Sequence, residues 1–418
     1  MKYRKKVLNF QWANSMIQET DGYILHRQVQ NIDRRSITMV KTGNEVRKVK
    51  ISWIDFENLK TGLKLDRIYF YEDITLLVGL SGVGKSQILK VLEYSLKLAV
   101  NKNIRLKPYC VNIGIYIGED LYEWSYKIEG SAAKELLLEE TLYCFTYEKL
   151  LCNGELIFER INDETEVAGY ERVPKPKKNE SLLLQYAEDE KFDDLISGIR
   201  KLYPVEMDVE VRGGIEKESF SRFKANIMDI ISEDSNVSFT AFSHLPVALK
   251  IYVVKNYFEE IYIRIFDAVK ELFMEIEDID VVEDVSREMY LVAIKVYGRE
   301  LLQADISNGM LKTIYYIVEL FTMSEDSLVL IDEFENGLGV NCIDLLAELL
   351  LSERNDLQFV ITSHHPKIIN HISQNKWKII DRRANVITNS DSSAYGIGNS
   401  QHDAYFNLIN RWEFEGKA

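Results

Sequence analysis

The sequence predicts an α/β fold: buried core strands, an antiparallel β subdomain and a helical insertion. Three observations predict it. Short runs such as Ile74-Thr75-Leu76-Leu77-Val78, Leu328-Val329-Leu330-Ile331 and Phe359-Val360-Ile361 are almost wholly apolar and stop at polar residues, as buried strands do. Between about 111 and 170 the pattern is strict alternation, the signature of half-buried strands. From about Ser181 onward apolar residues recur at helical spacing, and alternation returns only at Tyr290–Val296.

In chain order, residues 1–48 read as an N-terminal β extension, with strand character at Ile37–Val40 and around Val46, and a turn at Gly43-Asn44. Its basic start, Met1–Lys6, is either a solvated tail or a contact for an acidic partner. Val49, Ile51 and Trp53 alternate, Thr61-Gly62 breaks the run, and Ile68 and Phe70 alternate again. Ile88, Leu89, Leu92 and Leu96 form one face of a helix. Ile113, Ile115 and Ile117 lead into Gly118-Glu119-Asp120, Tyr122, Trp124 and Tyr126 lead away, and Asn153-Gly154 is a strong hairpin dipeptide. Val173–Asn179 is a stiff basic loop whose lysines are a solvated face or a contact for a phosphate backbone. Helices are expected over Ser181–Leu202, Phe220–Ile231 and Pro246–Ile276. The last is one long helix or two end to end, and it lacks the sustained heptads of a coiled-coil arm.

Bulk properties narrow the function. The 418 residues suffice for two or three domains' worth of core, and 46% hydrophobic with 28% charged residues is ordinary for a soluble protein. No stretch approaches about 18 consecutive apolar residues, so no membrane span is expected. Gln11, Asn14 and Gln18 interrupt any apolar signal core after the basic start, which reads as cytoplasmic. The cysteines Cys110, Cys144, Cys152 and Cys342 form no CxxC pair, against a zinc site and in keeping with a reducing compartment. A net charge of −15 opposes nucleic-acid binding through the overall field, leaving a protein as the more natural partner.

The chemistry begins at Gly79-Leu80-Ser81-Gly82-Val83-Gly84-Lys85-Ser86, with Gln87 next in the first helical turn. Gly, four residues, Gly-Lys-Ser between a buried strand and a helix is the phosphate-binding loop in its required context. The glycines let backbone N–H groups face phosphate oxygens, and the helix N-terminus adds positive potential. Lys85 is placed to reach the β- and γ-phosphates, and the Ser86 hydroxyl to ligate Mg²⁺. Such a loop needs a carboxylate at a second strand end. Asp332 supplies it for the Mg²⁺ shell, and Glu333 is placed to orient or deprotonate the attacking water. Ile306-Ser307-Asn308-Gly309-Met310 precedes a helix that Ser307 caps, and the same turn can also cradle an anion. Thr362-Ser363-His364-His365-Pro366 closes a third buried strand, and either histidine can meet a γ-phosphate.

These segments, in this order and with Glu335-Asn336-Gly337-Leu338 following the acids, resemble the heads of ABC-type ATPases, and more narrowly the SMC/RecF/OLD-like branch. Leu245-Pro246-Val247-Ala248-Leu249-Lys250 before a long helical stretch resembles the soluble ATPases of bacterial anti-phage systems such as PARIS and Septu. The resemblance covers about residues 49–375. It implies an ABC-type head with a P-loop core sheet. Its N-terminal lobe spans 49–185, its helical insertion 186–285, its C-terminal lobe 286–375 and its tail 376–418. It implies ATP and Mg²⁺ as cofactors, and assembly head to tail as a dimer or higher homo-oligomer. Ser307, Asn308 and Gly309 of one copy would then face the nucleotide held by Lys85 of another. It selects His364 as the γ-phosphate switch, with Glu333 and Lys85 as catalytic partners. It offers Gln185 as a Mg²⁺-sensing glutamine beside Ser86 and Asp332. Ile306, Asn308, Phe334 and Gly339 depart from the usual pattern without removing a needed chemical group. No fused nuclease signature follows. The expected function is a regulatory ATPase of an anti-phage complex acting on a separate effector, expected to be a nuclease, and answering a phage trigger protein. The alternative is a RecF/SMC-like DNA-repair ATPase that binds DNA with ATP.

Overall fold

A computed structural model describes residues 48–130, 143–189, 192–202, 205–206, 214–233, 239–242, 245–352, 354 and 356–395. The expected strands at Ile37–Val40 and around Val46 lie outside these residues. The described chain divides into two compact units, one drawn from 48–206, 325–335 and 356–395, the other from 214–324, 336–352 and 354.

The first unit carries a 13-stranded mixed sheet. In chain order it contains β1 (Val49–Asn58), β2 (Leu63–Tyr69), β3 (Ile74–Val78), α1 (Lys85–Val100), β4 (Tyr109–Ile117), β5 (Asp120–Gly130), β6 (Tyr143–Cys152), β7 (Glu155–Ile161) and β8 (Glu164–Val167). The short helices α2 (Leu182–Gln185) and α3 (Asp193–Lys201) follow, then β9 (Val205–Glu206). Later segments add β14 (Leu328–Ile331), β15 (Gln358–Thr362), α9 (Pro366–His371), β16 (Trp377–Arg383) and β17 (Val386–Asp391). The strand order is β8-β7-β6-β5-β4-β1-β2-β17-β16-β3-β15-β14-β9. The α/β expectation is therefore met.

The sheet has two characters because its sequences have two patterns. β3, β14 and β15 are buried at every position, as parallel strands covered on both faces must be, and β16, β3, β15, β14 and β9 run parallel. β4 to β8 form antiparallel hairpins with alternating burial. The β6–β7 turn places Asn153 at φ 49° and Gly154 at φ 84°, the left-handed pair a two-residue hairpin requires. The helix face anticipated in the sequence packs inward: Ile88 and Leu92 are fully buried, each contributing roughly 1.5–3 kcal/mol of burial. One buried polar side chain stitches the two patterns together. Gln358 of β15 accepts from Ile51 N–H at 2.8 Å and donates to the carbonyls of Ile51 and Tyr71, meeting β1 where a bulge interrupts its ladder with β4.

The second unit holds a four-stranded sheet in which β12 (Met289–Val296) pairs with β10 (Ile215–Glu216), β11 (Ile276–Asp284) and β13 (Arg299–Leu302). Its helices are α4 (Lys217–Glu233), α5 (Val247–Tyr257), α6 (Glu259–Leu272), α7 (Asn308–Thr322) and α8 (Val340–Ser352). The long helical stretch is two helices, broken at Phe258, whose φ of −134° and ψ of 65° leave the helical region. α5 and α7 share a buried ion pair, Lys250 to Glu319 at 2.5 Å.

Three expectations differ from what is seen. Residues 377–391, expected in a tail, form β16 and β17 beside the phosphate-loop strand, with Trp377, Ile379 and Ile387 fully buried. α3, expected within the helical insertion, packs Leu195, Ile196 and Ile199 into the core of the large sheet. The stretch expected as a C-terminal lobe is shared between the units: the Ser307 turn belongs to one, the acids and His364 to the other.

Candidate nucleotide site

In the sheet-bearing unit, β3, β15 and β14 lie side by side and parallel, so their C-terminal ends open onto one edge. Ligands of open α/β sheets bind outside such ends. β3 runs into the glycine loop. Gly84 caps α1 at φ 112°, Gly82 has φ 82°, and both conformations disfavour any side chain. Space adds a second demand: a Cβ on Gly79 would meet the Ile380 carbonyl at 2.4 Å, and one on Gly84 the Ile387 side chain at 2.4 Å. The two strands missed in the sequence thus wall the loop. Leu80 and Ser81 complete it, Val83 anchors it in the core, and Gln87 N–H bonds the Gly84 carbonyl in the first turn of α1.

Lys85 is buried and donates to the carbonyls of Gly79 at 2.7 Å and Leu80 at 2.9 Å. Burial pulls its pKa down to about 8, against the opposing pull of Asp332, Glu333 and Glu335. Ser86 Oγ donates to Asp332 Oδ1 at 3.0 Å, across 246 residues of sequence. Asp332 and Glu333 are exposed at the end of β14. A hydroxyl beside a carboxylate is a hard-oxygen donor set suited to Mg²⁺. Among the described residues no group of three His, Cys, Asp or Glu is placed to hold a metal ion.

Between the phosphate-loop strand and the acid strand lies β15, and its last residue makes a link the sequence did not reveal. Thr362 Oγ1 donates to Asp332 Oδ1 and accepts from the Glu333 N–H, both at 2.7 Å, while its carbonyl accepts from the Phe334 N–H at 3.0 Å. Glu333 sits at φ 50°, a left-handed conformation costing a non-glycine residue about 1–3 kcal/mol. The Thr362 bonds hold it there. The only sequence signal was a threonine ending an apolar strand. Glu335 was likewise unassigned; it bonds Ser363 and the His364 N–H.

His364 is half-buried, and its pKa lies below the usual histidine value, first through burial and then through the Lys85 charge, with Glu335, Glu333 and Asp332 opposing. Both effects favour the neutral imidazole. His365 follows, its N–H bonded to Ser363 Oγ at 3.0 Å.

Gln185 is not drawn to this cluster. Its Oε1 accepts from the Lys177 N–H at 3.1 Å and its Nε2 donates to the carbonyls of Glu180 and Ser181, so a metal-sensing role requires those bonds to open. The basic loop lysines are paired too: Lys175 and Lys178 with Asp163, Lys177 with Glu180. In the other unit Ser307 caps α7, its oxygen accepting from the Met310 N–H at 3.3 Å. Ser307 and Asn308 are exposed, and Gly309 lies against the 337–339 backbone, while Lys312 donates to the Asn336 carbonyl at 2.7 Å.

Residues 215–370 match the family described as "AAA domain, putative AbiEii toxin, Type IV TA system". No curated protein matches. Solved structures that match at 12% identity include the SMC head domain from Thermotoga maritima, with TM-score 0.41 over 82% of this chain and 98% of that one. The SMC head bound to the C-terminal winged-helix domain of ScpA gives TM-score 0.40 over 81% and 97%. The SMC head with an extended coiled coil, bound to the C-terminal domain of ScpA and derived from Pyrococcus furiosus, gives 0.41 over 82% and 96%. The family match takes in Asp332, Glu333 and His364 but not the glycine loop. No helix among the described residues is long and apolar enough to cross a membrane.

Proposed function

We propose that this chain binds and hydrolyses ATP as the regulatory subunit of an anti-phage defence assembly. The observation that carries the ATPase reading is the convergence of Lys85, Ser86, Asp332, Thr362 and Glu333 at the ends of three adjacent parallel strands. Lys85 exchanges loop carbonyls for the β- and γ-phosphates, and the Gly79–Gln87 backbone cradles them. Ser86 and Asp332 would hold Mg²⁺, which would neutralise phosphate charge. Glu333 orients the attacking water and takes its proton, and neutral His364 faces the γ-phosphate. The exposed Ser307-Asn308-Gly309 turn completes the site of a second copy, so that nucleotide controls assembly and assembly controls a separate effector nuclease. The net charge of −15 supports a protein-directed role.

The test pairs two measurements on the purified chain. Lys85→Ala is expected to lose ATP binding and turnover, whereas Glu333→Gln is expected to keep ATP, hydrolyse slowly and elute as a larger species on a sizing column. Equal turnover in all three proteins sinks the site. Co-purification with the product of the adjacent gene tests the defence role. A chain that gains no partner yet shifts DNA in an ATP-dependent, salt-sensitive way belongs to the RecF/SMC-like alternative.

A further inference from the structure

The acid turn carries a carboxylate for which this chemistry has no use. Asp332 is assigned to the metal and Glu333 to the water; Glu335 is left over. It is half-buried, and both its oxygens are taken by the strand end opposite. Oε1 accepts from the His364 N–H and Oε2 from the Ser363 hydroxyl, each at 2.7 Å. Ser363 is 1% exposed, and the oxygen that donates to Glu335 accepts from the His365 N–H at 3.0 Å. Three consecutive residues of the histidine turn are thus strung on one side chain that lies two residues beyond the base.

The chemistry of the group matters. A carboxylate accepts at both oxygens, and bonds to an ionised acceptor are about twice as strong as neutral ones. An amide in its place accepts at one end and brings an N–H₂ to the other, where the Ser363 hydroxyl now donates. The hydroxyl must then turn to accept instead of donate, and the anchor of the turn bearing His364 loses its charge assistance. Two buried acids differ in kind: Glu148 and Glu319 face Arg160 and Lys250 in ion pairs, whereas the half-buried Glu335 bonds the turn that presents a candidate catalytic side chain.

We infer that Glu335 is a positioning residue for His364, fixing the histidine turn against the Asp332-Glu333 turn so that base and switch move as one piece. The inference rests on the ATPase reading above.

Steady-state ATP hydrolysis and equilibrium ATP binding of the full chain test it, in the wild type and in Lys85→Ala, His364→Ala, Glu335→Gln, Ser363→Ala and the Glu335→Gln/His364→Ala double variant. Glu335→Gln is expected to lower kcat roughly tenfold to a hundredfold, the cost of a displacement of about 1 Å, with ATP affinity little changed. The double variant is expected to be no slower than His364→Ala alone, because Glu335 acts through that residue. Ser363→Ala removes one of the two anchors and is expected to lower kcat less, in the same direction; it keeps the test open if Glu335→Gln does not fold. Wild-type kcat in both single variants, or losses that multiply in the double variant, overturn the inference while a dead Lys85→Ala leaves the ATPase reading standing. A wild type that does not hydrolyse ATP, or a Lys85→Ala that does so equally well, overturns both.

Discussion

Glu148 and Asp332 belong to the same unit, and each is a carboxylate joined to distant parts of the chain, but one is shut and the other is open. Glu148 and Arg160 are fully buried and bonded at 2.6 Å. Glu148 also accepts from the Trp124 indole and the Leu182 N–H, and Arg160 donates to the carbonyls of Lys177 and Glu180. The pair pins α2 and the basic loop to the hairpin sheet. Asp332 instead is exposed and accepts from the hydroxyls of Ser86 and Thr362, while the nearby cation, Lys85, rests on backbone carbonyls. Hydroxyl and carbonyl partners are exchanged for a ligand at small cost, whereas a buried ion pair is not. Closed charge stabilises; open charge is available for chemistry.

The comparison breaks most visibly at the closed site. Arg160→Met strands Glu148 without its counter-ion and is expected to lower unfolding free energy by about 3–5 kcal/mol in a denaturant titration. The Glu148→Leu/Arg160→Met double variant is expected to recover much of that loss; a double variant as unstable as the single would show that packing, not charge, sets the cost. At the open site the expectation reverses. Glu333→Gln should slow hydrolysis by about 10²–10³-fold, the scale of losing one transition-state group, with an unfolding midpoint close to wild type. Thr362→Val stands between the two. It removes the donor to Asp332 and leaves the Glu333 N–H without an acceptor, so we expect roughly 1–3 kcal/mol of destabilisation together with a fall in kcat. A valine variant with unchanged kcat would remove Thr362 from the site.

The smallest effect tests a pair of a buried lysine and an exposed aspartate. The Lys378 ammonium, 2.6 Å away, holds Asp391 below its ordinary value of 3.8, with Tyr71 adding a hydrogen bond. A lowered folded-state pKa contributes stability that is complete above the ordinary value and is lost as pH falls through the folded one. Asp391→Asn should therefore cost less than about 1 kcal/mol at pH 7 and flatten the decline in stability below about pH 4. Parallel declines in wild type and variant would count against the pair.

Much of this molecule was legible in its sequence. The glycine loop, its strand and its helix are consecutive residues, so local rules of backbone freedom and periodicity identify them. The buried runs before Asp332 and Thr362 announced strands, and Asn153-Gly154 announced its hairpin. The same rules failed at β16 and β17, where Lys378, Asp381, Arg382 and Arg383 dilute the apolar pattern and only burial of Trp377, Ile379 and Ile387 makes them strands. Gln185 was offered as a Mg²⁺ sensor by resemblance alone, and residue type did not reveal that the backbone of Lys177, Glu180 and Ser181 takes up its amide.

Sequence by itself determined which groups this protein has for handling a phosphate: a lysine and a serine after flexible glycines, and acids at the end of a buried strand. Those follow from residue type and short-range geometry. Only the tertiary structure decided which groups meet. Ser86 finds Asp332 across 246 residues, Thr362 reaches back 30 to Asp332 and Glu335 forward 29 to the His364 N–H. Hydrogen bonds act over about 3 Å, and nothing in one-dimensional spacing tells which distant residues the packing of a parallel sheet brings within that reach.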